Sequence, residues 1–277
     1  MSGTDSGLAV LDSARGRVKR QAGGVAASRW IVSLLGLVLG GCRPAPALSP
    51  DDAARLDAPV QDGLVYRGDV YAPGDPAQPR LTYERRVWHH GDDVVSSHLT
   101  RRMSGEPMLL HRATHSDAYE VSSFEVVSSQ TGMTGAMRVD DSQVSFAVTK
   151  NGRTRTRTEP RTQPVVVGPT LFGTTVRHWD ALVAGETIGV RFAVVERLRT
   201  YPFTLRLLDA NAETTRFELR ADQRLVRASV PPMVITFDTH TRRVVRYEGR
   251  VPPKDEHRGG RDFDARVEYT FFVDRYR

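Results

Sequence analysis

From Gly63 onward the chain alternates apolar and polar residues segment after segment. Leu64 to Tyr71 alternates, with Val65, Arg67, Asp69 and Tyr71 on one face. Arg80 to Trp88 does the same, with Leu81, Tyr83 and Val87 on one side. A period of two marks a half-buried strand. His89-His90-Gly91-Asp92-Asp93 reads as a turn, and Val94 to Arg102 as the returning arm of a hairpin. Further strands are expected over Pro107 to Ala113, Ala118 to Val127, Gly132 to Val139 and Gln143 to Lys150, with tight turns at Asp140-Asp141 and Asn151-Gly152. Residues 153 to 158 alternate Arg and Thr, which puts three arginines on one face and three threonines on the other.

The period changes once. In Pro169 to Gly185, Phe172, Val176, Trp179, Leu182 and Val183 recur at helical spacing, with Thr170 as a cap and Gly185 as the stop. Strands resume over Thr187 to Leu198, Phe203 to Leu208, Thr214 to Arg220, Met233 to Asp238, Arg243 to Val251 and Phe263 to Val273, with a short helical turn at Gln223 to Ser229. About twelve antiparallel strands and one or two helices predict a mainly β fold. The first choice is a large curved antiparallel sheet, or open half-barrel, wrapped on the helix at about 170–184. Its mouth would form an apolar pocket. Phe172, Val176, His178, Trp179 and Asp180 are the residues assigned to that pocket or to the core beneath it.

The N-terminal part follows other rules. Arg15, Arg17, Lys19, Arg20 and Arg29 precede the apolar run Trp30 to Leu39, which ends in Gly40-Gly41-Cys42. Basic segment, short apolar segment and small residues, in that order, describe a secretory signal peptide. Ten helical residues span about 15 Å, half of the roughly 30 Å core of a bilayer, so a transmembrane helix is not expected here. Cys42 is the one cysteine of the chain, so an intramolecular disulfide and thiolate metal sites are both excluded. Leu39-Gly40-Gly41-Cys42 resembles the lipobox of bacterial lipoproteins. That resemblance implies cleavage after Gly41, lipidation of Cys42 and a membrane anchor made of two or three acyl chains. It further implies export to the periplasmic side, and the absence of Asp after the cysteine leans towards the outer membrane. The basic segment is long for a signal peptide, so Val18 and Val25 are alternative starts to Met1. The expected organisation is 1–41 signal peptide, 42–61 lipidated flexible tether rich in Pro and Ala, and 62–277 a single β-rich domain.

Charge adds little. The chain carries a formal net charge of +6, and the excess is spread along the sequence, so no nucleic-acid partner is expected. Two segments, Arg177-His178-Trp179-Asp180-Ala181-Leu182-Val183-Ala184-Gly185-Glu186-Thr187 and Arg246-Tyr247-Glu248-Gly249-Arg250-Val251-Pro252-Pro253, resemble parts of a family of uncharacterised bacterial envelope proteins. The likeness covers the 169–253 region. The curved-sheet-plus-helix outline is similar to the lipoprotein carriers LolA and LolB. Neither resemblance supplies a catalytic residue.

Candidate chemistry is sparse. His89, His90, Asp92 and Asp93 cluster at a turn, but neighbours on a strand face opposite ways. His111 and His115 are four apart, a chelating distance on a helix and about 13 Å on a strand. His178 beside Asp180 has the residue types of a general base and its partner. The arginine row 153–157 suits phosphate, lipid headgroups or anionic polysaccharide, and equally a strand edge guarded by charge. Gly-x-Ser-x-Gly, the phosphate-binding Gly-Lys-Ser/Thr loop and His-Glu-x-x-His are absent. No catalytic residue, metal or cofactor is assigned. The sequence therefore points to an envelope lipoprotein that binds an apolar or amphiphilic ligand or an envelope protein. A structural or assembly scaffold and a hydrolase of envelope lipid or glycan using His178 are the alternatives.

Overall fold

A computed structural model of the chain describes residues 48–57, 63–75 and 77–272. Of two compact units, Met1–Cys42 and Arg43–Arg277, all described residues belong to the second. The expected cleavage after Gly41 and lipidation of Cys42 lie outside the described residues.

The described chain is mainly β, as its alternation predicts: one large, mostly antiparallel, open sheet with a few short helices. The first half contributes β1 (Leu64–Tyr71), β2 (Leu81–His90), β3 (Asp93–Arg102), β4 (Pro107–His115), β5 (Val121–Ser128), β6 (Met133–Val139), β7 (Gln143–Lys150) and β8 (Arg153–Pro160). The second half contributes β9 (Val165–Val166), β10 (Ile188–Val194), β11 (Arg199–Ala210), β12 (Thr214–Ala221), β13 (Met233–Asp238), β14 (Val244–Asp255) and β15 (Arg261–Phe271). The fifteen strands form one sheet in the order β8 to β1, then β15 to β9. Each half is a meander. They join where β1 pairs antiparallel with β15, Val70 opposite Val267. The edges are β8, paired with β7, and β9, which pairs parallel with β10.

Turn chemistry fixes the hairpins. Asn151 (φ 53°) and Gly152 (φ 70°) both take positive φ, the requirement of the two-residue turn that matches strand twist. Asp140 Oδ1 accepts the Ser142 and Gln143 N–H groups at 2.8 and 2.7 Å, closing the β6–β7 turn.

The sheet curls until its far ends meet. Glu159 on edge strand β8 accepts the Thr200 N–H of β11 at 2.8 Å, although the two strands lie near opposite ends of the sheet order. At Gly135 of β6 an added Cβ would stand 2.6 Å from Val195 Cγ1, in the link between β10 and β11. Only glycine permits that approach.

The inside of the curl holds α2 (Gly168–Arg177) and α3 (Trp179–Val183). The single helix expected over 170–184 is thus broken at His178 (φ −98°, ψ 15°). The Thr174 and Thr175 hydroxyls donate to the carbonyls of Thr170 and Leu171, each at 2.9 Å, inside a β-branched run that weakens the helix. Thr170 is not the residue preceding the helix. It lies in the first turn, where its hydroxyl accepts the Val167 N–H at 3.2 Å. Gly185 (φ 93°) stops α3 as expected. The expected short turn near 223–229 is α4 (Arg224–Ser229).

Part of the segment expected to be a flexible tether is α1 (Pro50–Asp57). Ser49 caps it, its Oγ accepting the Asp52 N–H at 3.2 Å, and Pro50 follows at the first helical position. Leu56, 4% exposed, packs with Leu99, Leu110 and Val127, and Arg55 reaches Glu125 at 2.9 Å. Apolar residues on both faces of β3–β5 explain the docking: one face serves α2, the other α1.

Candidate functional site

Cross-strand register builds a polar floor under α2. Arg85, His98 and His111 stand opposite one another on β2, β3 and β4. Residues directly opposite share a face of the sheet, so the three side chains line one row. Ser96 lies one step, and His115 two steps, along the same face.

The hydrogen bonds are directional. His115 Nδ1 donates to the Ser116 carbonyl at 2.7 Å, which leaves Nε2 as an acceptor for the Ser96 hydroxyl at 2.8 Å. Ser96 Oγ accepts in turn from Arg85 Nη2 at 3.1 Å. Arg85 Nη1 donates to His98 Nε2 at 2.8 Å and to the Pro169 carbonyl in the first turn of α2. His98 Nδ1 then carries the proton and donates to the Tyr83 hydroxyl at 2.6 Å. Both imidazoles are used in neutral form. Burial, then the Arg85 charge, pushes His98 well below the ordinary histidine range, burial takes His111 down to about 4, and burial lowers His115 against the pull of the Ser116 carbonyl.

The β4–β5 loop clasps the helix from the other side. Tyr119 (φ 61°) stacks on His115, ring centroids 5.3 Å apart. The opposite edge of its ring meets Gly173 of α2, where a Cβ would lie 2.0 Å from Tyr119 Cε1. Arg177 donates to the Ala118 carbonyl.

Beside this floor lies a continuous aromatic surface. Tyr66 is buried at its centre, with centroids of Tyr269, Phe271, Tyr83 and Phe172 at 5.0, 5.1, 6.2 and 6.4 Å. Tyr83, Phe172, Tyr269 and Phe271 each keep part of their surface accessible. Burial nevertheless raises the Tyr83 and Tyr269 hydroxyls well above their ordinary value. Partly accessible aromatic rings grouped around a buried one are a candidate lining for an apolar ligand. Arg243 lies over Phe271 at 5.5 Å.

The expected site residues separate. Phe172 joins the aromatic surface, and Val176 packs partly buried against the core. Trp179, 5% exposed, is core, edge-on to Phe217 and Phe237 at 5.1 and 5.6 Å. His178 is the joint between α2 and α3. Asp180 is exposed and pairs at 2.9 Å with Arg242, whose guanidinium lies over the Trp179 ring at 5.1 Å. His89 and His90 are exposed at the β2–β3 tip. Among the described residues no group of three or more His, Cys, Asp or Glu side chains is placed to hold a metal ion, and no helix is long and apolar enough to cross a membrane.

Sequence reading passed over Arg85, Ser96 and His98. Arg85 carries a visible signal, because it shares the period-two face of Leu81, Tyr83 and Val87. Ser96 and His115 have the elements of a nucleophile and its base. Both are buried, at 0% and 1% exposure, with the serine oxygen occupied by Arg85 and Nδ1 of the histidine by a backbone carbonyl. A groove of about 790 Å³ on the outer face, lined by Asp69, Arg216, Arg246, Glu248 and Glu268 among others, is polar and crossed by the Arg246–Glu268 pair at 3.4 Å.

No protein-family model and no curated protein matches the chain. Among solved structures it is similar to a β-barrel-like protein of a domain of unknown function, DUF1849, from Brucella abortus, at 10% identity over 77% of this chain and 100% of that one, with a TM-score of 0.35. It is also similar to a candidate exported protein with a YmcC-like fold from Bacteroides fragilis, at 10% identity over 78% of this chain and 98% of that one, with a TM-score of 0.25. At that identity and those scores neither likeness bears on activity.

Proposed function

We propose that this chain is an envelope lipoprotein, anchored through Cys42 and facing the periplasm, whose β-rich domain binds an apolar or amphiphilic ligand without chemical turnover. The observation that carries the reading is the partly accessible aromatic surface of Tyr83, Phe172, Tyr269 and Phe271 around the buried Tyr66. Aromatic rings offer a large apolar contact area, and the tyrosine hydroxyls and Arg243 at its border give a headgroup polar partners. Binding would be the reversible burial of an acyl or ring system against this surface and α2, with Trp179 supporting the helix from below. The Ser96–His115 pair is buried and hydrogen-bonded on every side-chain nitrogen and oxygen, which argues against its use as a nucleophile and base.

The test is a titration of the purified chain with a fluorescent lysophospholipid, together with native mass spectrometry of the protein as isolated. Co-purifying lipid and saturable binding are expected, weakened about tenfold or more by Phe172→Ser, since truncating one buried aromatic anchor commonly costs upwards of 2 kcal/mol in binding. Unchanged binding in Phe172→Ser, with no lipid carried through purification, would refute the reading.

A further inference from the structure

β8 is an edge strand whose backbone pairs with β7 on one side and with no described strand on the other. Residues 153–158 are all exposed. The register sets Arg157 opposite Phe146, Arg155 opposite Val148 and Arg153 opposite Lys150. Opposite residues share a face, so the arginines continue the apolar inner face of β7 outward, beyond the buried Phe146 and Val148. The threonines turn to the other face, where Thr154 meets Thr149 at 2.8 Å. Successive arginines are about 6.7 Å apart.

These cations have no carboxylate of their own among the described residues. The nearest candidate on the same strand face, Glu159, is committed to the Thr200 N–H at 2.8 Å and lies 3.9 Å from Arg191. An open backbone edge and a ladder of unpaired guanidinium groups at strand spacing therefore coincide on six residues.

We propose that the β8 edge takes up an extended segment of a partner protein carrying Asp or Glu at alternate positions, added as a further strand. The backbone edge supplies main-chain hydrogen bonds, and the arginine row selects acidic side chains two residues apart. A second copy of this chain is a poor occupant. Pairing β8 with itself in the register that keeps both apolar faces on one side places arginine opposite arginine, a repulsive arrangement. The inference goes beyond the proposed ligand site and does not use the aromatic surface.

The experiment is fluorescence anisotropy on the full chain with a labelled peptide of alternating Thr and Glu, eight residues long. Binding is expected. It should weaken about tenfold or more in the triple variant Arg153→Ser, Arg155→Ser, Arg157→Ser, as the loss of three rim ion pairs implies. It should weaken comparably for a peptide of the same composition with its glutamates in one block, and for an alternating peptide N-methylated along one backbone edge. Circular dichroism of the triple variant should be unchanged, because the three side chains are exposed. Equal affinity for the blocked or N-methylated peptide, or for polyphosphate of matching charge, would overturn the proposal in favour of a charge patch. No binding at millimolar peptide would overturn it in favour of an edge merely guarded against self-association. The Phe172→Ser variant should bind the peptide normally, which separates failure here from failure of the ligand site.

Discussion

Acidification should destabilise this domain through the buried His98 and His115 and the half-buried His111 before its carboxylates titrate. His111 has a folded pKa of about 4 because of burial, against about 6.5 in an unfolded chain. The folded value is the lower one, so the stability contribution is complete above about pH 6.5 and is lost as pH falls towards about 4. At pH 4.5 the unfolded imidazole is protonated and the folded one largely neutral, which costs about 2.5 kcal/mol for His111 alone. His98 and His115 are shifted in the same direction and steepen the slope, each by up to about 1.4 kcal/mol per pH unit within its window. Asp140, Asp238, Glu256 and Asp262 are held below their ordinary values of 3.8 to 4.5 by hydrogen bonds and ion pairs, so their contribution disappears at lower pH. A domain with a total stability of about 5–15 kcal/mol should therefore approach unfolding between pH 5 and 4. Urea denaturation at intervals from pH 7.5 to 4.5 measures this directly. His111→Leu, which keeps the apolar contact with Phe124, should lose about 2.5 kcal/mol less across that range than the parent. An identical pH slope in the two proteins, or a flat profile from 6.5 to 4.5, would show that the imidazoles are not held neutral inside the fold.

Other perturbations test the clasp on α2 and the outer helix. Gly173→Ala places a methyl 2.0 Å from the Tyr119 ring and should cost about 1–3 kcal/mol in thermal unfolding, with much of the loss recovered in the Tyr119→Ala background. Trp179→Ala should cost about 3–5 kcal/mol, whereas Asp180→Ala, which removes an exposed pair with Arg242, should change stability by about 1 kcal/mol or less; equal effects on Tm would overturn their separation into core and surface. Leu56→Ala should release α1 from the sheet, seen as loss of hydrogen-exchange protection over 50–57 with protection of β11–β14 retained.

Local order was legible and long-range order was not. Strands with one polar face announced themselves by alternation, and Asn151-Gly152 announced its turn by the residues that tolerate positive φ. The pairing of β1 with β15 joins residues about 200 positions apart, and no local pattern encodes it. The break at His178 was masked because Phe172, Val176, Trp179 and Leu182 keep helical spacing across it, while the threonine hydroxyls that loosen the helix leave that spacing intact. α1 carried a readable start in Ser49-Pro50-Asp51-Asp52, hidden by the Pro and Ala content around it. The candidate surface was half legible. Phe172 stood on the helix stripe, but Tyr66, Tyr83, Tyr269 and Phe271 come from three strands distant in sequence and meet only through register.

The topology makes the inserted helix and the open edge two results of one arrangement. The meanders meet at β1 and β15, so the middle of the chain falls at the sheet's two edges. Residues 161–187, which connect β8 to β10, therefore run from one edge to the other. Had they formed a full strand, that strand could have bridged β8 and β10 and closed the sheet. Instead only Val165 and Val166 pair, parallel to β10, and the chain turns inward as α2 at once. The apolar stripe of α2 and α3 needs the concave face, and Arg85 holds the first turn there through the Pro169 carbonyl. Burying that stripe leaves the outer edge of β8 without a partner strand among the described residues. An edge created in this way must be either guarded or used, and one arginine row at strand spacing serves both: it repels a second copy of the chain and favours an acidic strand.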